Sequence, residues 1–347
     1  MPRFAILFED NFNHLYGKTG NALLRYRPEG VVCCIDSKNA GKTADEVVGI
    51  GGDLPVVAHV EESLRFNPDT LLIGIATEGG YLPNNMRGGV KTAIENGLNI
   101  ISGLHSFLSF DPEFSKLANK HNVTITDLRK PPDPLPFTKG SWKNRKTPIL
   151  LTVGTDCDVG KMTMAWETSN SLVKNGLSAK FVGTGQTGIL LSGGGVAVDA
   201  VVSDFVAGAI ENEIDKINDD YDIIIVEGQG SITHMAYSGV TLGLLHGSMP
   251  DFLLMCHDPF RTEDTFGQPV YDIQKTLDLY LNLVQIFKPC RCVGAGLVTH
   301  DENEELARKT IDEYQNRFDF PINDFIRYGG KNIVENIISK LRIDRSF

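Results

Sequence analysis

The sequence predicts two α/β domains in tandem: a parallel-sheet domain in the first third and a P-loop NTPase-type domain after it. Three observations predict this. Apolar strand-like runs alternate with helical patterns along the whole chain, which is the signature of parallel sheets joined by crossover helices. A stretch holding four prolines, Lys130-Pro131-Pro132-Asp133-Pro134-Leu135-Pro136, interrupts the alternation once, and prolines so dense cannot continue a helix or a central strand. Immediately beyond it, an apolar run leads into a glycine-bounded loop that ends in lysine, the order a phosphate cradle requires.

The elements follow in chain order. Residues 4–8 form an apolar strand, 17–26 a helix and 31–35 a second strand ending at Asp36. Residues 70–76 are continuously apolar, as expected of a strand covered on both faces. A helix over 90–96 stops at Gly97, a strand spans 99–103, a short helix ends over 117–121, and a last strand covers 123–128. The first domain is therefore 1–130 and the proline-rich linker 131–148. The second domain, 149–347, carries strands at 149–153, 179–182, 222–226, 252–256 and 291–298. Its helices run from the loop to 175, then over 204–217, 276–287, 304–317 and 332–341.

Composition narrows the function. Apolar and charged fractions of 41% and 22% are those of a globular chain. A formal charge of -11 argues against nucleic acid or an anionic membrane as partner, since both need a basic face. No apolar run is long enough to cross a bilayer, and the N-terminus has no leader-like pattern. The six cysteines form no C-x-x-C pair and read as small core residues in a reducing cytoplasm.

The cradle is Gly154-Thr155-Asp156-Cys157-Asp158-Val159-Gly160-Lys161, with Gly-x5-Gly-Lys spacing. Backbone amides, the helix start and the lysine all favour an anion there. Its cofactor-binding residues are Gly154, Thr155, Asp158, Val159, Gly160, Lys161, Met162 and Thr163, and Lys161 is expected in an exposed position. Gly17-Lys18-Thr19 and Gly41-Lys42-Thr43 lack the first loop glycine and are set aside. An apolar strand ending in Val226-Glu227-Gly228 places Glu227 where P-loop domains keep a carboxylate facing the phosphates or their metal. The glycine-rich stretch 183–188 is expected as a loop touching the ligand through Gly185 and Gln186. His234, Tyr237, His257 and Arg261 also follow strand ends, and in open α/β sheets such ends converge on one crevice. No histidine pair has metal-ligand spacing, so no zinc site is expected, and no Gly-x-Ser-x-Gly elbow is present.

The cradle and Val226-Glu227-Gly228 resemble the corresponding motifs of dethiobiotin synthetases. A resemblance over the full length rests on 69–76, on Ser102-Gly103-Leu104-His105, on 203–208 and on 237–248. These are similar to a bacterial and archaeal family, formerly of unknown function, that includes D-glutamate N-acetyltransferases. The resemblance implies a Rossmann-like N-terminal domain and acetyl transfer from acetyl-CoA to an acidic amino acid such as D-glutamate. His234, His257 and Glu227 are then the candidate catalytic groups, and Arg261 and Tyr237 bind the substrate. The alternatives are ATP-dependent carboxylate activation, with Glu227 and Thr163 on Mg²⁺, and a nucleotide-gated regulator. Met162 stands where ATP-using P-loops carry Ser or Thr, which favours a ligand without bridging Mg²⁺. The expected partners are a small amino-acid substrate and further copies of the chain.

Overall fold

The computed structural model describes residues 2–264, 266–299 and 302–344; the expected outer ends of the two domains, residues 1 and 347, lie outside it. The chain divides into two compact units. One runs to Lys130 and includes 189–193; the other covers 131–188 and the rest from Gly194.

The first unit is a Rossmann-like parallel sheet. Its elements are β1 (Phe4–Leu7), α1 (Lys18–Tyr26), β2 (Val31–Ile35), α2 (Ala44–Val48), β3 (Val56–Val57), α3 (Val60–Ser63), β4 (Thr70–Ile73), α4 (Asn84–Glu95), β5 (Asn99–Ser102), α5 (Pro112–His121) and β6 (Ile125–Asp127). The strand order is β3-β2-β1-β4-β5-β6. The apolar run expected as a strand over 70–76 pairs only to Ile73. Beyond it the chain leaves the sheet: Gly74 O accepts from Gly20 N at 2.9 Å, and Ala76 N donates to Tyr16 O at 2.8 Å. Gly74 and Ile75 are buried and Ala76 half-buried, held against the start of α1 and the loop before it rather than in the ladder. The helix expected at 90–96 begins earlier, at Asn84.

The second unit contains β7 (Ile149–Gly154), α6 (Lys161–Lys174), β8 (Ala179–Val182), the first turn of α7 (Gln186–Ser192, whose residues from Ile189 group with the first unit), α8 (Val206–Asp215), β9 (Ile223–Val226), α9 (Ser238–Ser248), β10 (Phe252–His257), α10 (Ile273–Gln285), β11 (Arg291–Leu297), α11 (Glu304–Gln315), β12 (Ile322–Asn323), α12 (Phe325–Tyr328) and α13 (Lys331–Asp344). Its sheet is parallel, in the order β12-β11-β10-β7-β9-β8. Alternation along the strands explains the unbroken apolar runs. Ile149, Leu151 and Val153 of β7 join one core with Ile224, Val226, Leu253 and Met255, under α8, α9 and α10. Leu150, Ile223, Ile225, Phe252 and Leu254 face the opposite core, under α6 and α13. Both faces are covered, so successive side chains are apolar. Because β9 and β10 flank β7 on opposite sides, the loop after β7 leaves the sheet at its topological switch point, where such folds open a crevice. Two expectations change here. The stretch after β8 is not an open glycine loop, because α7 starts at Gln186, and residues 238–248, left without an element in the sequence, form the helix α9. Among the described residues no helix is long and apolar enough to cross a membrane.

Candidate active site

The loop after β7 is shaped by two left-handed residues, Asp158 (φ 52°) and Gly160 (φ 85°). Gly160 caps α6 without a side-chain hydrogen bond, so the first-turn amides are not competed for by a cap. Val159 is fully buried in the α6-side core and anchors the loop from below. Lys161 overturns its expected exposure: it is 7% exposed. Its Nζ donates back to the Asp156 carbonyl. Its stem runs over two glycines. A β-carbon on Gly154 would lie 3.2 Å from Lys161 Cδ, and one on Gly228 would lie 3.1 Å from it and 1.8 Å from Thr152 O. Burial lowers the Lys161 pKa from its usual value. Met162 and Thr163 are half-buried in the first turn of α6.

A ring of polar groups holds this loop from behind. Thr155 N donates to Cys256 O at 3.2 Å. Thr155 Oγ1 lies 2.9 Å from His257 Nδ1, and His257 Nε2 lies 2.9 Å from the Tyr314 hydroxyl. Burial pushes the His257 pKa down to about 4, so the ring is neutral at pH 7, and both its nitrogens are committed within the protein. The Tyr280 hydroxyl accepts from Ile232 N at 2.9 Å and donates to Gly154 O at 3.2 Å. Gly228 N donates to Thr152 Oγ1 at 2.9 Å, tying β9 to β7.

Glu227, at the end of β9, is buried. Its Oε2 accepts from Thr184 N at 2.8 Å and Gly185 N at 3.1 Å, while Thr184 Oγ1 donates to Glu227 O. A carboxylate facing the free amides at a helix start stabilises that start, which is why this glycine-rich segment becomes α7. Gly188 is required there: a β-carbon would sit 2.1 Å from Glu227 Oε2. Gly185 packs beside Glu227 and Gln229, and Gln186 is buried.

Above the loop, three segments meet. His234 is 3% exposed. Its Nδ1 accepts from Ala236 N at 3.2 Å. Its Nε2 lies 3.9 Å from Asp156 Oδ1 and 3.4 Å from Asp264 Oδ2. The ring stacks on Tyr237, centroids 4.6 Å apart, with the Phe266 ring edge-on at 5.6 Å. Arg261 donates to Asp156 Oδ2 at 3.1 Å and to Cys157 O at 2.8 Å, so it is bound to the loop crest and not extended toward solvent. Amides of Gln268 and Phe266 hold the Asp264 carboxyl below its usual pKa, and burial raises that of the Cys157 thiol to about 11. The sequence reading passed over Asp156, Asp264, Thr152, Gly228, Tyr280 and Tyr314 as site residues. Asp156 stood inside the motif; Tyr280, on the buried face of α10, reads as plain core. Ligand atoms of Asp156, Cys157 and His234 all lie within 4.8 Å of one another.

Residues 37–131 match a domain of unknown function described as DUF1611_N, Rossmann-like domain, and residues 136–334 match DUF1611_C, P-loop domain. The chain is 38% identical over 292 residues to a D-glutamate N-acetyltransferase of Tritonibacter scottomollicae, covering 83% of this chain and 86% of that one. It is 38% identical over 280 residues to a protein of the same name from a Pseudoalteromonas species, covering 80% and 83%. The crystal structure of a DUF1611 family protein from Anabaena variabilis ATCC 29413 superposes with a TM-score of 0.92 at 34% identity, covering 98% of this chain and all of that one. The chain belongs to the DUF1611 family of paired Rossmann-like and P-loop domains.

Proposed function

We propose that this chain transfers the acetyl group of acetyl-CoA to the amine of an acidic amino acid, with D-glutamate the first acceptor to test. The observation that carries the reading is the 38% identity, over four-fifths of the chain, to two proteins named for that activity. The geometry supports it in two ways. The loop has the amides, helix start and lysine that a pyrophosphate needs. At the position after the lysine it carries Met162 in place of the Ser or Thr hydroxyl that bridging Mg²⁺ uses, and Glu227 Oε2 already accepts from the amides of Thr184 and Gly185.

In this reading Lys161 leaves the Asp156 carbonyl for a phosphate oxygen, and Arg261, already on the crest, supplies a second cation beside it. His257 and Tyr314 position Thr155 and take no part in proton transfer. His234 acts as a donor. Its Nδ1 is met by the Ala236 N–H, so the neutral ring carries its proton on Nε2. There the proton can be given to the departing sulfur as the C–N bond forms and the C–S bond breaks, and the deprotonated ring nitrogen then takes one proton from the acylated nitrogen, which restores the starting tautomer. Tyr237, stacked on His234 and 43% exposed, lines the approach.

The test is an acetyl-transfer assay on the purified chain with D-glutamate, L-glutamate and D-aspartate, reading coenzyme A release and the N-acetyl product with and without Mg²⁺. Release matched by product, unchanged when Mg²⁺ is omitted, is the expected result. Strong Mg²⁺-dependent ATP hydrolysis that Thr163→Ala abolishes, without acetyl transfer, would replace this reading with ATP-dependent carboxylate activation.

A further inference from the structure

The crest of the phosphate loop holds more than phosphate chemistry requires. Four side chains from three chain segments converge there: Asp156 and Cys157 from the loop, His234 from the turn after β9, and Asp264 from the segment after β10. We infer that they form a binding site for a thiophilic divalent cation of the zinc class.

The first ground is the convergence itself. A carboxylate oxygen of Asp156, the Cys157 sulfur and a ring nitrogen of His234 lie within 4.8 Å of one another. A tetrahedral ion with ligand bonds of about 2.0–2.3 Å sets its donor atoms roughly 3.3–3.8 Å apart. His234 Nε2 stands 3.4 Å from Asp264 Oδ2 and 3.9 Å from Asp156 Oδ1; Asp264 lies outside the group of three mutually close donors, so it must swing inward to complete a tetrahedron around such an ion.

The second ground is independent. His234 Nε2 is fully buried and has no hydrogen-bond partner among the described residues, although two carboxylates stand close by. A buried nitrogen left unbonded is costly and calls for a partner. The neighbours leave it aimed into the cluster. Arg261 takes the other oxygen of Asp156, and the amides of Phe266 and Gln268 take Asp264 Oδ1, leaving Oδ2 facing the ring. Tyr237 and Phe266 cover the imidazole from the outside.

The donor set decides the class of ion. One sulfur, one imidazole nitrogen and two carboxylate oxygens suit Zn²⁺ or Cd²⁺ in a tetrahedron, whereas Mg²⁺ demands an oxygen octahedron. Coordination through Nε2 displaces its proton and moves the ring proton to Nδ1, so the 3.2 Å contact from Ala236 N is given up on binding. The cation would also tie the loop crest to both flanking segments. On the acetyl-transfer reading it removes the proton that His234 donates, so the ion acts as an inhibitor.

The test is spectroscopic and does not depend on that reading. The full chain, stripped with a chelator and dialysed, is titrated with Cd²⁺, following the ultraviolet thiolate-to-cadmium charge-transfer band. One equivalent should saturate the band in the parent. Cys157→Ser should abolish it, while Asp264→Asn and His234→Ala should each weaken binding at least tenfold. Circular-dichroism melts of the cation-free variants confirm that each is folded, and Asp264→Asn alters only the exposed-side segment should the loop variants fail. A band of parent amplitude in Cys157→Ser would show that another of the six cysteines captures the ion and would overturn the site. So would the lack of any saturable band in the parent. Parent affinity in Asp264→Asn would overturn the four-donor set.

Discussion

Replacing Lys161 with methionine separates its work for the ligand from its work for the fold. In the free protein the lysine is buried, its one described hydrogen bond runs to the Asp156 carbonyl, and burial has lowered its pKa. Methionine fills the same groove over Gly154 and Gly228. It forgoes a charge-assisted hydrogen bond of about 1.5–3 kcal/mol, and it relieves the desolvation that lowers the lysine's pKa, which acts in the opposite direction. The free variant should therefore melt close to the parent, within about 1 kcal/mol. In the complex nothing offsets the loss. Forgoing a charge-assisted bond to phosphate, again about 1.5–3 kcal/mol, weakens coenzyme A binding by roughly 10–150-fold. At a ligand concentration near 100 parent Kd, the parent gains about 2.7 kcal/mol from mass action, and a variant weakened ~50-fold gains only about 0.6 kcal/mol. Calorimetric titration gives the affinities, and paired melts with and without coenzyme A give the linkage. Equal ligand-induced stabilisation in parent and variant would refute the phosphate cradle. A free variant destabilised by more than ~3 kcal/mol would instead make Lys161 a structural residue.

Two further outcomes follow from the groups behind the loop. The folded His257 pKa of about 4 lies below the unfolded value of 6.5, so the unfolded chain takes up the proton first. The stability this histidine contributes is complete above pH 6.5 and is lost as pH falls toward 4, with about 2 kcal/mol gone between pH 7 and pH 5. Urea unfolding at both values should show that loss in the parent and a smaller one in His257→Gln, and identical losses in the two would contradict a buried neutral ring. Gly228→Ala forces a β-carbon to within 1.8 Å of Thr152 O, so the β7–β9 pairing must shift. Overpacking of this kind costs on the order of 1–3 kcal/mol or more, and a variant melting like the parent would refute the close approach.

The features legible in the sequence are those that one segment determines alone. A doubly covered strand is apolar at every position because each face has its own core, and β7, β9 and β10 announce themselves that way. The cradle is legible because strand, left-handed turn and lysine are contiguous. What the sequence concealed depends on partners far along the chain. Lys161 looks like a solvated helix start until Gly228, just after β9, turns out to leave room for its stem. His257 looks like a base at a strand end until Tyr314, from α11, takes its second nitrogen. The glycine-rich stretch after β8 carries the most instructive lesson. Glycine density suggested a loose loop open to a ligand, yet Gly188 is there because the Glu227 carboxylate lies 2.1 Å from where its β-carbon would be, and that carboxylate holds the amides that begin α7. The same glycines that read as freedom in the sequence are, in the fold, the condition for packing a buried charge against a helix start. Glu227 is therefore better placed to fix the shape of the crevice than to react within it, and the ligand chemistry falls to the groups that meet at the loop crest: Lys161, His234 and Arg261.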